Sequence, residues 1–476
     1  MTAPPIGLAS ARLDRGTLER AQATLVADLR DLIRVPSINP PDPPGAELDA
    51  ARLIADRLTD AGIRPEVLEP FAGRGSVVAR LRGDGTGGEP LLLLSHLDVV
   101  PAPPERWTHG PFAGDIAEGY IWGRGAVDMK GMVALELGVL RLLADEARAA
   151  GRDPTADPIP GLRRDVLFAS TADEEAGGLQ GAGWLVANRP ETVRAAGALN
   201  ECGGVSMEVA GRRFYPIGVA EKGYCVYRIT VTGAWGHGSM PREDNAAVRA
   251  ATIIARLAVP GVPRLTGPMR DLFASVTPAL GPAEAALIEA IASSDAGRSE
   301  AALRSLCDET LARATRALLR DTISPDIVHA GVKYNVIPGE ATIEIDCRVL
   351  PGTTEADMRA EVERRLGDLA EHCSISPTIA ASAVEAPTTT PLYALMVDTI
   401  RAHDPDGVPV PVMVPFATDA KHTRKLDVPT YGFSPLRLEP GERFLERFHG
   451  VDERVSLDAL RWGLPVLYDV VRGFCA

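Results

Sequence analysis

Apolar residues recur at helical spacing from Leu18 to Ile33, and the stretch VPSINPPDPPG that begins at Val35 interrupts them. A second amphipathic run covers Glu47 to Ala61. Both predict helices. After Glu89 comes PLLLLSHLDVV, a short unbroken apolar run that ends in polar residues. Such a run suits a strand buried on both faces, as in the parallel sheet of an α/β domain. Met132 to Ala147 predicts a helix, and DVLFAST from Asp165 predicts a second buried strand that leads into ADEEAGG. Two apolar strands thus deliver polar residues at their C-terminal ends, where ligand sites form in open α/β sheets. Polar residues after one strand would merely cap the next helix. A His/Asp cluster after one strand and a Glu/Glu cluster after another point to a site.

Near Lys222 the pattern becomes alternating. YCVYRITVTG from Tyr224 and ATIEIDCRV from Ala341 to Val349 read as half-buried antiparallel strands. Asn245 to Leu257 and Thr354 to Leu366 read as helices, so this region predicts a small α+β domain with one exposed sheet face. Between its halves the alanine-rich stretch Ala283 to Leu319 predicts helix. Parallel-type signals resume near Pro391, and a last helix is expected over Leu457 to Val471, kinked or restarted at Pro465. The expected architecture is an α/β domain with a mixed, mostly parallel sheet. It occupies residues 1–222 and 385–476 and is interrupted by an α+β domain over 223–384.

The chain has 476 residues, beyond the size at which a single core stops growing, which agrees with two domains. Its 64 acidic against 50 basic residues, a formal charge of −14, argue against a nucleic-acid partner. The cysteines Cys202, Cys225, Cys307, Cys347, Cys373 and Cys475 are scattered without a C-x-x-C pair and read as reduced thiols. The first residues lack the apolar core of a signal peptide, and no segment approaches the roughly 20 apolar residues of a membrane span. A cytoplasmic location without a membrane partner is the expectation.

Five places carry candidate chemistry: His96 with Asp98, Asp128, Glu174 with Glu175, Glu201, and His449. Imidazole nitrogen and carboxylate oxygen are donors that zinc accepts. Taken singly each is weak, since adjacent glutamates are as a rule surface charges and an H-x-D can be a satisfied histidine at a strand end. Context strengthens them. On an extended strand His96 and Asp98 point to the same side, so Asp98 is placed to accept the second ring N–H of His96. Asp128 sits in a glycine-bounded turn before a helix, and the adjacent glutamates can divide labour, one on metal and one facing a water.

The motifs HLDVVP, WGRGAVDMKG, DEEAG, LNECGG, GHGSMP, NVIPGEA, DCRVLPG and HGVDERV occur in this order. Together they resemble the M20 family of zinc aminoacylases and peptidases, which includes acetylornithine deacetylase and succinyl-diaminopimelate desuccinylase. The resemblance runs from about Val26 to the C-terminus, and the GVKYNVIPGEA region is most similar to the carboxypeptidase S branch. It implies a zinc-exopeptidase-like catalytic domain with a ferredoxin-like inserted domain that serves dimerisation and as a lid. It further implies two zinc ions, with cobalt or manganese as substitutes: His96, Asp128 and Glu201 on one, Asp128, Glu175 and His449 on the other. Glu174 would be the general base, with Asp98 a further catalytic residue. His237 would stabilise the oxyanion in the partner subunit of a homodimer joined through the inserted domain. Asn335 would polarise the substrate, and Arg348 would pair with its carboxylate, an internal ion pair with Asp346 or Asp357 being the competing role for Arg348. The expected activity is cleavage of the amide bond of an N-acyl amino acid or short peptide. A non-catalytic, metal-stabilised dimer that binds an amino-acid-like ligand is the alternative from another class. A cysteine hydrolase using Cys202 lacks an obvious histidine partner.

Three departures from the family pattern stand out. PFATDAKHTR carries Phe416 and Ala417 where small glycines are usual, Asn200 replaces an aspartate, and Cys202 interrupts a glycine run. Lys421 and His422 in that stretch are expected to lie on a solvated loop.

Overall fold

The computed structural model describes residues 8–39 and 46–476. The first residues of the proline-rich start and the Pro40–Gly45 part of the VPSINPPDPPG break lie outside them. Two compact units result, one of residues 8–39, 46–219, 386–412 and 418–476, the other of residues 220–385 and 413–417.

In the first unit α1 (Arg15–Arg34) starts at an Asp14 side chain that accepts from the Thr17 amide. It ends at Val35, whose successor Pro36 disfavours a further helical residue. Then come α2 (Glu47–Asp60), β1 (Pro65–Phe71), β2 (Arg74–Leu81), β3 (Leu91–His96), α3 (Lys130–Ala149), β4 (Val166–Thr171) and β5 (Gly197–Asn200). The sheet order is β1-β2-β4-β3-β5, continued by the short strand Thr430–Gly432 and the strand that begins at Arg212. Its centre is parallel (β4 with β3, β3 with β5, β5 with Thr430–Gly432), and β1 and β2 extend it antiparallel. The four leucines of β3 alternate between two cores. Leu91 and Leu93 pack with α1, α2 and α3, whereas Leu92 and Leu94 pack with Leu167, Leu185 and Ala198 on the other face. A strand between two helical layers has no polar side to show, hence the unbroken leucine run.

Helix α3 is buried along most of its length, and one of its buried side chains is Glu136. Ser95 donates a 2.6 Å hydrogen bond to it, and burial pushes its carboxyl up to about 8. Between the ordinary 4.5 and about 8 the unfolded chain releases a proton that the folded chain keeps, so stability falls as pH rises through this window. Glu136→Gln is expected to flatten that fall and to raise Tm at pH 8 while changing little at pH 4, as scanning calorimetry at the two pH values would show.

The last helix is present as expected and is not restarted at Pro465. It runs unbroken over Leu457–Cys475 with Pro465 inside. Proline at that position leaves the carbonyl four residues earlier without its helical donor. That carbonyl, of Arg461, accepts from the Gln22 side chain at 2.9 Å instead.

In the second unit the strands Thr322–Ala330, Glu340–Val349, Gly223–Thr232 and Cys373–Ala381 form an antiparallel sheet in that order. Helices Ala246–Leu257 and Glu355–Leu366 cover one face through Ile253, Leu257, Met358 and Val362, packed on Tyr227, Ile229, Ile343 and Ile345. The chain order is therefore β-α-β-β-α-β, the split βαβ arrangement. Both strands absent from the sequence reading are sheet edges interrupted by proline, Pro325 and Pro377, each beside a register shift. The alanine-rich stretch is helical as expected, in three helices, Pro282–Ile291, Ala296–Arg304 and Glu309–Leu318. Asp295 and Asp308 accept backbone N–H groups and start the second and third.

Candidate metal centre

The C-terminal ends of β3, β4 and β5 converge on one cluster. His96 closes β3, Glu174 and Glu175 follow β4 in a single 3-10 turn, and Glu201 follows β5. Asp128 arrives from the turn before α3, whose Gly123 and Gly125 both have positive φ. His449 comes from a loop near the C-terminus and is itself left-handed.

Asp128 lies between the two imidazoles. Its Oδ1 is 3.1 Å from His96 Nε2, and its Oδ2 is 3.3 Å from His449 Nε2. Glu201 Oε1 is 3.8 Å from His96 Nε2, and Glu175 Oε2 is 3.1 Å from His449 Nε2. Two triads result, His96–Asp128–Glu201 and Asp128–Glu175–His449, the donor atoms of each lying within 4.8 Å of one another. They share Asp128.

Burial sets the charge balance. It pushes the Glu175 carboxyl up to about 8 and Glu201 up to about 7. Against the same desolvation, hydrogen bonds from His449 and His96 hold Asp128 well below the usual carboxylate range. The Asp128 and Glu175 carboxylates in turn raise His449 to about 10. His96 is raised too, its desolvation being outweighed by Asp128, Asp98 and Glu201. Carboxylates crowded out of water in this way gain from a cation. Glu175 Oε1 is moreover buried without a hydrogen-bond partner, an acceptor that a cation would satisfy. The donor set and this orphaned oxygen fit divalent metal ions.

The His96 ring faces Asp98, as the H-x-D spacing suggested, and does so most closely through the Asp98 main chain. His96 is the last residue of β3, so Asp98 lies past the extended segment. The ring Nδ1 is 3.0 Å from the Asp98 main-chain carbonyl and 3.5 Å from its carboxylate. The carboxylate also accepts the backbone N–H groups of Glu174 at 3.1 Å and Glu175 at 3.0 Å, and the Asn39 amide at 2.8 Å. One residue thus meets the His96 ring and fixes the glutamate turn. Behind it Asn39, Arg74 and Glu47 form a buried chain of hydrogen bonds. The sequence reading missed these three, together with Glu453 and Arg124. Glu453 and Arg124 lie within the quoted motifs HGVDERV and WGRGAVDMKG, where a signal was present.

His237, Asn335 and Arg348 belong to the second unit. His237 is exposed, with Nδ1 2.7 Å from Ser239 Oγ, and its strand residue pairs with Val336. Asn335 immediately precedes that paired strand, its carbonyl accepting from Gly238 and its side-chain oxygen buried without a partner. Arg348 forms a two-pronged ion pair with Asp346 (2.8 Å to each oxygen) and covers the Tyr224 ring. Lys421 and His422, expected in solvent, are buried at 8% and 2% exposure.

The profile of peptidase family M20/M25/M40 matches residues 92–473. The chain belongs to that family. It is a hydrolase acting on amide bonds, and enzymes of this family depend on metal. A probable carboxypeptidase S-like 2 of Dictyostelium discoideum is 30% identical over 421 residues, covering 83% of this chain and 74% of the relative. An N-fatty-acyl-amino acid synthase/hydrolase PM20D1 of Xenopus tropicalis is also 30% identical, over 84% and 74% of the two chains. Among solved structures, the M20 family metallo-carboxypeptidase Sso-CP2 of Sulfolobus solfataricus superposes with a TM-score of 0.69 at 18% identity, over 94% of this chain and 99% of that one. Among the described residues no disulfide joins the six cysteines. Among the described residues no helix is long and apolar enough to cross a membrane.

Proposed function

We propose that this protein is a two-zinc hydrolase that cleaves the amide bond of an N-acyl amino acid or short peptide. The observation that carries the reading is the pair of donor triads joined through Asp128. His96, Asp128 and Glu201 would hold one ion and Asp128, Glu175 and His449 the other, with cobalt or manganese able to replace zinc. Bound there, the ions would supply Lewis acidity at the scissile carbonyl and acidify the attacking water.

The chain does the rest. Glu174 sits one residue before the ligand Glu175, in a turn whose two N–H groups are fixed on Asp98. We assign it the role of general base, which takes the water's proton and returns it to the leaving nitrogen. To the second unit we assign His237 as oxyanion donor, Asn335 as polarising amide and Arg348 as the carboxylate partner, in a homodimer in which His237 serves the partner's site. That role for Arg348 requires its guanidinium to leave or share Asp346. Relatives named for carboxypeptidase S and for N-fatty-acyl amino acids support a substrate with a free amino-acid carboxylate. Cysteines outside any disulfide support a reducing, cytoplasmic location.

The test is chelation followed by reloading with zinc, cobalt or manganese, and a panel of acetyl, succinyl, long-acyl and dipeptide substrates. Turnover is expected to return with metal on at least one class. Glu174→Ala is expected to lose about 10²–10⁴-fold in kcat while still holding two ions per chain. Ligand binding without turnover across the whole panel would favour the non-catalytic dimer, and loss of metal from Glu174→Ala would remove Glu174 from the role of base.

A further inference from the structure

The PFATDAKHTR stretch has no task in the mechanism so far. Its segment Ala420–Thr423 is a short helical turn with all four residues buried. It packs against the glycine turn that follows Glu174 and Glu175. A Cβ on Gly178 would stand 2.2 Å from Asp419 Oδ1, and one on Gly183 would stand 3.0 Å from His422 Cε1. Only glycine lets the two segments approach this closely, and Gly178 also has φ +71°.

Three polar contacts cross the seam. His422 Nε2 lies 2.9 Å from the Gly177 carbonyl, and Thr171 Oγ1 donates to Asp419 Oδ2 at 2.9 Å. The third is Lys421, whose Nζ lies 3.3 Å from Glu174 Oε1 and 3.0 Å from the Thr418 carbonyl, with Asp419 Oδ1 at 3.9 Å. A buried ammonium needs such partners to offset its lost hydration. Thr418 and Asp419 lie on its own segment and would satisfy a purely local lysine. The contact to Glu174 reaches a residue 247 positions away in the chain.

We propose that Lys421 is a positioning residue for Glu174, which rests on the reading of Glu174 as general base. A glutamate side chain has three torsions and, unheld, spreads over several rotamers. An ammonium on Oε1 removes most of them and leaves the other oxygen to accept the proton of the attacking water. Oriented proton acceptors act in one geometry, and a displacement of about 1 Å costs roughly 10²-fold in rate. His422 and Asp419 hold the helical turn against the glycine turn, so Lys421 and Glu174 move as one body.

The test compares Lys421→Met, Lys421→Arg, Glu174→Gln and the double variant, each loaded with metal. Lys421→Met is expected to hold two ions, to keep the cobalt(II) absorption spectrum of the wild type, and to leave KM within about twofold. Its kcat is expected to fall about 10²-fold. Lys421→Arg, which keeps the charge, recovers roughly tenfold of that loss. In the Glu174→Gln background Lys421→Met changes residual turnover by less than about twofold, because it acts through a carboxylate no longer there. A raised KM with unchanged kcat would show that Lys421 touches substrate instead. A lost ion, wild-type kcat, or an undiminished effect in the Glu174→Gln background would equally overturn the proposal. If Lys421→Met does not fold, Lys421→Gln, which still donates to the Thr418 carbonyl, makes the same comparison. Near-wild-type turnover of Glu174→Gln alone would sink the base assignment itself, whatever Lys421 does.

Discussion

Asp128→Ala is expected to yield a folded protein that holds neither ion and turns substrate over about 10⁵-fold more slowly. The estimate combines two losses: Lewis polarisation worth about 4 kcal/mol, or roughly 10³-fold, and a base left without its acidified water, roughly 10²-fold more. The geometry explains why one side chain would affect both proposed ions. Its two oxygens face different imidazoles, at 3.1 Å and 3.3 Å, so it belongs to both triads. Without it His96 and Glu201 form one pair and Glu175 and His449 another. Catalytic zinc sites have three protein ligands, and a pair falls short. The fold should survive, because what fixes the turn before α3 is the Asp128 backbone N–H rather than its carboxylate. Metal content after dialysis, measured beside circular dichroism, decides the matter. Two ions retained per chain would mean that Asp128 does not bridge.

Much of this centre is legible along the chain because each donor sits where a regular element stops. His96 ends a leucine strand, and the glutamates follow DVLFAST, so burial on both faces marks the strand and the first polar residue marks its end. The alternating strands Gly223–Thr232 and Glu340–Val349 were equally clear, since helices cover only one face of their sheet. What stayed hidden depends on tertiary contact. Lys421 and His422 carry no local sign of burial. Their partners are Glu174 and the Gly177 carbonyl, from a segment almost 250 residues earlier. The H-x-D spacing places the Asp98 carboxylate near His96 but gives no sign of a second task for that carboxylate. Two backbone amides claim it once the strand ends at His96. Pro325 and Pro377 disguised two edge strands, where a missing N–H can face outward at no cost to the ladder.

The largest expected loss of stability falls at Glu453, a residue that touches neither ion in the proposed arrangement. Its carboxylate accepts from Arg124 at 2.6 Å and from the backbone N–H groups of Gly125 (3.1 Å), Val127 (2.7 Å) and Asp128 (3.1 Å). Arg124 in turn donates to the Gly450 carbonyl at 3.0 Å, one residue past His449. The loop that presents His449 and the turn that presents Asp128 are thus fastened by one buried ion pair, its side chains 3% and 0% exposed. Glu453→Ala leaves a guanidinium and three amides without their acceptor. Breaking a buried pair from one side costs about 3–5 kcal/mol, a large share of a typical folding free energy of about 5–15 kcal/mol. The urea midpoint should drop accordingly. Glu453→Gln keeps the shape and one acceptor oxygen but turns an NH₂ towards two donors, so it should fold with a smaller loss. Its metal affinity, read by competition with a chelator, is expected to fall about 10–100-fold, the usual effect of loosening groups that orient metal ligands. Wild-type affinity in a folded Glu453→Gln would show that this carboxylate serves folding alone, and that the two ligand loops are set independently.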